Sequence, residues 1–313
     1  MVENVPACAD GSLRSLTLSV QDEWREVPLR RGTSPRHERP RWSDAHTRPR
    51  QFVALRPGGE EDEGGSAVVS GATAAPAGAA SALRKAALRA NAVLLPLSSS
   101  PYATHRDSAF LDAALVEVLV DCGPRCTLRD GTKLATLAPG SQLSVSSPTG
   151  AGFCSLFRQG LDLSAVLEHG APLLLLGGNA QGAGALRACL EWQPVAAHAG
   201  VHPVYAFLSF STNAAAPYIA DWERWREAGV HVRPCFESDW QDSPHTQLDS
   251  GSALEEGLLH SGRDIQDLVG GARLDQVAVL LAGGVPSDVR ARIIRKLQAL
   301  GFNNELFLVC EPF

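Results

Sequence analysis

Lysine is almost missing from this chain of 313 residues: Lys85, Lys133 and Lys296 are the only three, and arginine carries the positive charge. Together with the abundance of alanine and glycine, this reflects base composition of the gene rather than a function. No long apolar run is present. The longest clean one, Val277 to Ala282, falls far short of the roughly 18 residues that a membrane-spanning helix needs. The opening Met1-Val2-Glu3-Asn4 lacks the basic-then-apolar order of a signal peptide. Excess positive charge is lacking too, and a net charge of −6 points neither to nucleic acid nor to an anionic membrane.

Cysteine spacing shows no order. Seven thiols, an odd number, argue against a disulfide framework, and Cys122-Gly-Pro-Arg-Cys126 is the single close pair. It reads as a turn with two incidental thiols. His105, His169, His198 and His202 show no metal-ligand spacing, so no metal is expected. No internal repeat at a fixed period is evident. What is present is enough apolar sequence, 44% of residues, to bury a sizeable core, and a length suited to about two domains.

The first half alternates short β segments with long polar connections. Leu13–Val20, Gln51–Leu55, Ala92–Leu97, Leu115–Val120 and Gln142–Val145 have strand character. Turn pairs such as Asp130-Gly131 and Pro139-Gly140 separate them, which suggests a small antiparallel barrel. Arg30 to Arg50 is arginine-rich and broken by proline. It reads as a solvated loop or, more sharply, as a docking surface for an acidic partner. Pro57 to Ala80 is acidic, then rich in Gly, Ala and Ser; it is a low-complexity insertion, and Ser81–Ala90 adds a short helix.

The second half has another texture. Strands are expected at Leu173–Leu176, Pro203–Leu208, Val230–Pro234, Val277–Leu281 and Leu306–Val309. Helices are expected at about Ala183–Trp192, Tyr218–Glu227, Ala253–His260 and Ser287–Leu300, the last closed by Gly301. Buried strands alternating with helices specify a parallel, doubly wound sheet. The fold class is thus an antiparallel β-barrel over 1–165, with the insertion at about 57–90, followed by an α/β domain over 166–313.

Ligands of such sheets bind beyond the carboxyl ends of the strands, where strand order reverses. The first strand there runs into Gly177-Gly-Asn-Ala-Gln-Gly-Ala-Gly184, a Gly-rich turn able to let backbone approach a pyrophosphate. Gly178, Gly182 and Gly184 are the candidate contacts, with plain strand-to-helix packing as the competing reading. Gly283-Gly284 repeats the pattern after Val277–Leu281. In the barrel half, Thr149, Gly150 and Gly152 of the small-residue turn Ser146–Phe153, and Ser98 and Ser99 after a strand, complete the set.

This order of segments, from about Gln51 to Phe313, resembles the ferredoxin-reductase-like superfamily. It is most similar to the plastid FAD/NAD(P)-binding oxidoreductase family of plants and algae. The resemblance rests on Gln51-Phe-Val-Ala-Leu55, Leu94–Pro101, Leu137–Leu143 with Pro148–Phe153, Leu173–Trp192, Trp225–Val230 and Leu280–Gly284. It implies a barrel that holds FAD, an α/β domain that holds NADP or NAD, and chloroplast residence. It also implies a C-terminus beside the flavin, with Phe313 stacking on the ring and Glu311 relaying a proton. Four departures stand out. The Arg-x-Tyr-Ser/Thr motif for the flavin phosphate reads Leu95-Pro-Leu-Ser98, and the Gly-Thr-Gly-x-x-Pro motif reads Ala180-Gln-Gly-Ala-Gly-Ala185. Ser211 stands where an arginine often contacts the adenosine portion, and Ala282 replaces the cysteine of a Cys-Gly-x motif. Missing charge-assisted phosphate contacts weaken dinucleotide binding. Three functions are therefore open: a flavin-dependent NAD(P)H oxidoreductase; a catalytically degenerate accessory or docking subunit of a larger, photosynthetic, electron-transfer complex reached through Arg30–Arg50; and a sensor module that keeps one cofactor.

Overall fold

The computed structural model describes residues 1–21, 25–27, 36–38, 42–57, 92–101, 113–123, 131–240, 250–260, 273–283, 285 and 287–309. The short helix expected at Ser81–Ala90, most of the 57–90 insertion, Cys126, His105, Gly284, Glu311 and Phe313 lie outside the described residues, as do 30–35 and 39–41 of the arginine-rich stretch.

Two three-stranded antiparallel sheets form the first half. One is ordered β1 (Glu3–Pro6), β2 (Leu13–Gln21), β7 (Ala113–Asp121); the other β6 (Val93–Pro96), β5 (Phe52–Pro57), β8 (Leu143–Val145). They join where Leu97 bridges Val118. A separate hairpin pairs β3 (Arg25–Val27) with β4 (Arg36–Glu38). Period-2 alternation gives each long strand an inner and an outer face. Leu16, Leu18 and Val20 of β2 meet Val116, Val118 and Val120 of β7 in a core shared with Val53, Leu55, Leu95 and Leu97. Ser15, Glu117 and Leu119 point the other way, toward the second half. Leu134 of the short helix α1 (Gly131–Ala135) closes this core, where a turn at Asp130-Gly131 was expected.

The second half is a six-stranded sheet ordered β12 (Val230–Phe236), β11 (Val204–Phe210), β10 (Leu173–Gly178), β13 (Ala278–Leu281), β14 (Phe307–Val309), β9 (Cys154–Ser155). The five strands of the α/β half are parallel to their neighbours, and β9, which comes from the barrel side, joins β14 antiparallel. Strand order reverses at β10, so the crevice between the carboxyl ends of β10 and β13 is the switch point. Buried runs such as Leu173-Leu-Leu-Leu176 serve both faces. Leu173 and Leu175 enter one core, Leu174 and Leu176 the other. The architecture is the barrel-plus-α/β arrangement expected from the sequence.

Helices cover both faces: α2 (Leu163–Glu168), α3 (Asn179–Leu190), α4 (Gln193–Ala199) and α5 (Ile219–Glu227) pack into the first core, α6 (Ser250–His260) and α7 (Ser287–Ala299) into the second. Trp222 and Trp225, one turn apart, are buried against the sheet as their spacing suggests. α3 begins four residues earlier than expected. Asn179 takes a left-handed φ of 53°, which turns strand into helix within one residue and leaves no separate Gly-rich loop. α2 falls in the stretch read as a domain boundary, and α4, opened by Pro194 in its first turn, was not foreseen. No helix among the described residues is long and apolar enough to cross a membrane.

Candidate functional site

The switch-point crevice is lined by glycine because backbone meets backbone there. A Cβ on Gly182, in the first turn of α3, would stand 2.6 Å from the carbonyl oxygen of Gly283. A Cβ on Gly177 would meet Leu186 at the same close range, 2.6 Å. Gly178 forms the N-cap of α3 and supplies no side-chain hydrogen bond, while Asn179 Oδ1 accepts from the Gln181 N–H at 2.9 Å. A helix of 12 residues thus starts beside Gly283 with its positive dipole end at the crevice.

From the barrel side a tight turn delivers Arg50 to the same place. Gln51 builds that turn: its Oε1 accepts from the N–H groups of Thr47 (2.7 Å) and Arg48 (3.1 Å), and its Nε2 donates to the Ala45 carbonyl (2.9 Å). Arg50 is thereby held at a φ of 64°, a region that side chains seldom occupy. Its side chain is only 1% exposed. The guanidinium carbon lies 5.3 Å from the centre of the Phe52 ring, and a Cβ on Gly283 would come within 2.3 Å of Nη2. The small-residue turn packs under this arrangement. Thr149 and Phe52 exchange backbone hydrogen bonds of 2.8 and 2.9 Å, Gly150 (φ 110°) fits against the Phe52 ring, and Gly152 (φ 73°) fits against Arg48. Arg48 pairs with Asp162 at 3.3 Å and donates to the Ala151 carbonyl.

Ser98 and Ser99 lie on the flank of this junction. Ser98 is fully buried, its Cβ 3.3 Å from where one on Gly184 would stand, so α3 rests directly on the barrel at this point. Its hydroxyl lies near that of Tyr218, but neither buried oxygen has a hydrogen-bond partner. The Ser99 hydroxyl oxygen accepts from the Glu117 N–H at 3.1 Å. Beneath them Arg187 of α3 binds Glu117 of β7, with Ser15 also donating to that carboxylate. Arg187 further approaches Glu191 and Asp221, each at 3.4 Å, and sits 4.5 Å above the Tyr218 ring. Burial works against the charge on Arg187, but Glu117 and Glu191 outweigh it and hold the guanidinium protonated well beyond its ordinary range. Burial, reinforced by Glu117, pushes the Tyr218 hydroxyl up, so it stays neutral. Burial also raises Glu191, despite Arg187 and Arg224 beside it.

Ser98, Ser99, Thr149, Gly150, Gly152, Gly178, Gly182, Gly184 and Gly283, chosen from the sequence as candidate cofactor contacts, therefore gather around one junction between the halves. The Ser99 hydroxyl is engaged by the Glu117 N–H there, whereas the buried Ser98 hydroxyl is left without a hydrogen-bond partner. Four residues of the junction were not singled out from the sequence: Arg50, Glu117, Arg187 and Tyr218. Arg50 lies in a stretch that reads as a polar loop, and only its place directly before a strand marks it out. Tyr218 opens α5 from a left-handed conformation (φ 59°), which no sequence pattern announces.

No family model and no curated protein matches the chain. Solved structures do match in fold. Ferredoxin-NADP+ reductase from Plasmodium falciparum superposes with a TM-score of 0.58 at 8% identity, over 100% of this chain and 94% of that one. The flavohem-like FAD/NAD binding domain of nitric oxide dioxygenase from Vibrio cholerae gives 0.52 at 11% identity, over 99% and 95%. An Amycolatopsis cytochrome P450 reductase gives 0.53 at 12%, over 99% of this chain and 67% of that one. At such identities the likeness is one of fold: the chain has the ferredoxin-reductase-like architecture of FAD/NAD(P)-binding proteins.

Proposed function

We propose that the protein is a flavin-dependent NAD(P)H oxidoreductase of ferredoxin-reductase type, with FAD on the barrel and NADP or NAD on the α/β half. One observation carries this reading: the candidate residues of both halves converge at the carboxyl ends of β10 and β13, beside the start of α3 and the buried Arg50. A helix start that faces the crevice beside a buried guanidinium suits a phosphate-bearing ligand. In this reading Gly178, Gly182 and Gly283 admit backbone to the ligand, Thr149, Gly150 and Gly152 shape the barrel side, and Arg50 neutralises phosphate. FAD, when bound, supplies the hydride chemistry, while the protein supplies position and electrostatics. Glu311 and Phe313 serve as proton relay and ring-stacking partner. Chloroplast residence belongs to the same reading.

The purified chain is expected to be yellow, with absorbance near about 450 nm that NADPH or NADH bleaches without oxygen. A chain that stays colourless after incubation with FAD refutes the reading. A second function is favoured by a specific observation, the engagement of the Ser99 hydroxyl by the Glu117 N–H inside the protein. It is that of a catalytically degenerate subunit that docks on an electron-transfer complex through the 30–50 stretch. Colourless protein eluting with a large assembly, and released when Arg30, Arg31, Arg36, Arg39 and Arg41 are changed to Ala, is its signature.

A further inference from the structure

The chain enters the α/β sheet through a short connector, His169 to Pro172, between the end of α2 and the start of β10. Two histidines of the α4–β11 turn hold it. His198 is 7% exposed, and its Nε2 lies 2.9 Å from the Ala171 carbonyl. A carbonyl only accepts, so Nε2 carries the proton of the neutral ring and Nδ1 carries none. His202 follows one helical turn later, its N–H donating to the His198 carbonyl at 2.8 Å. That spacing stacks the rings, with centroids 4.5 Å apart and planes 31° from parallel. The edge of the His202 ring rests on Gly170 (φ 67°), where a Cβ would stand 2.9 Å from Cε1. One ring thus bonds the connector and the other covers it. The opposite end of α2 holds Arg48 through Asp162, so the connector lies one short helix from the junction.

We propose that His198 and His202 form an acid-operated latch: while neutral, the stacked rings clamp the connector between α2 and β10, and when both are protonated they part and free it. The latch stands on this geometry and needs no ligand. Two like charges this close and largely withdrawn from water disfavour each other, so the pair resists its second proton. The other charged or titratable groups on the surrounding elements are Glu168 and His169 at the end of α2, Glu191 after α3, Arg226 and Glu227 of α5, His231 of β12, and Arg273 and Asp275 before β13. Glu191 is committed to Arg187 and Arg224, Arg273 to Asp275, His231 to the Tyr205 ring and His169 to the Ala165 carbonyl. None of them forms a hydrogen bond or ion pair with either ring among the described residues. Burial, with His202 acting in the same direction, holds the His198 pKa below its ordinary value against the pull of the Ala171 carbonyl. A histidine depressed in this way contributes stability above its unfolded value, about 6.5, and that contribution is lost as pH falls from there through the folded one.

Native-state amide exchange, corrected for the intrinsic effect of pH on exchange, tests the latch. From about pH 7.5 to about pH 5, protection of the Gly170, Ala171 and Leu173 amides should fall about tenfold or more, while Leu175 and Val279 inside the sheet keep theirs within about threefold. His202→Gln cannot be charged and should shrink the fall at the connector to less than about threefold. An undiminished fall in that variant, no fall in wild type, or an equal fall across the whole sheet would overturn the proposal. If His202→Gln does not fold, His198→Gln, which keeps a donor for the Ala171 carbonyl, takes its place and is judged by the same outcomes.

Discussion

Replacing Arg187 by Met is the most informative perturbation of the junction. Methionine keeps the length and apolar stem of the side chain, so the change removes chiefly the charge and its hydrogen bonds. Glu117 from the barrel, with Glu191 and Asp221 from the α/β half, would then face one another without their shared cation. Breaking a buried ion pair by removing one partner costs roughly 3–5 kcal/mol. Arg187 retains 16% and Glu117 21% side-chain exposure, so water screens part of that. A loss of about 2–4 kcal/mol is the resulting expectation. At roughly 2–3 °C per kcal/mol for a chain of this size, Tm should fall by about 4–12 °C. The pH dependence supplies an independent check. Glu191 has a raised pKa in the folded protein, so its favourable contribution is complete below the unfolded value and is lost as pH rises through the folded one. Without Arg187 that pKa climbs further. The destabilisation of Arg187→Met should therefore be larger at pH 7 than near pH 4.5, by about 1 kcal/mol. Urea titrations at both pH values measure it. A variant within about 0.5 kcal/mol of wild type at pH 7, or an equal loss at both pH values, would refute the role given to this cluster.

Gly182→Ala places a Cβ 2.6 Å from the Gly283 carbonyl, and the resulting shift of α3 should cost about 1–3 kcal/mol in chemical denaturation; a neutral result would mean that helix and strand are not in backbone contact. Glu255, 8% exposed, joins α6 to α7 through Arg292 (3.0 Å) and Lys296. Burial pushes its pKa up, but Lys296 and Arg292 outweigh that and lower it, so its stabilisation exists above the unfolded value and disappears as pH falls through the folded one. Glu255→Gln should thus lose about 1–2 kcal/mol at pH 7 and almost nothing below about pH 3, read by thermal scans across that range. Ser98→Ala should leave stability within about 1 kcal/mol of wild type, since its buried hydroxyl makes no hydrogen bond to lose; FAD uptake by the same variant, compared with wild type, tells whether that hydroxyl serves the ligand.

Much of the fold was legible because it rests on periodicity. The strands Leu173–Gly178, Val204–Phe210 and Ala278–Leu281 are short, almost wholly apolar runs, broken only by Ser209, as buried parallel strands tend to be. The alternation of Leu16, Leu18 and Val20 likewise announces a strand with one face inside. What was not legible depends on distant partners. β9 is two residues long and is a strand only because Leu308 and Val309 lie alongside it. α2 was hidden because the boundary was placed by texture, although Asp162, whose side chain caps the Ala165 N–H, is a recognisable start signal. The glycines of the junction were legible as close-approach positions. Whether that approach is to ligand or to protein is decided by tertiary contacts, and Arg50 shows the limit plainly. An arginine in a run of charged and proline residues reads as solvated, and only the turn built by Gln51 takes it inside.

The two-residue strand β9 also governs how the α/β sheet is kept from sticking to other molecules. A sheet of this kind has two rims where unpaired peptide groups invite another chain. At the β12 rim, exposed His231 and Arg233 alternate with buried valines, and Pro234 offers no N–H, so pairing there is discouraged by local chemistry. The β14 rim, Phe-Leu-Val, carries no such deterrent, and Cys154-Ser155 covers it instead. Protection of one half is thus lent by the other. Expressed alone, the α/β half would present a bare, fully apolar rim and should self-associate, even with every one of its own contacts intact.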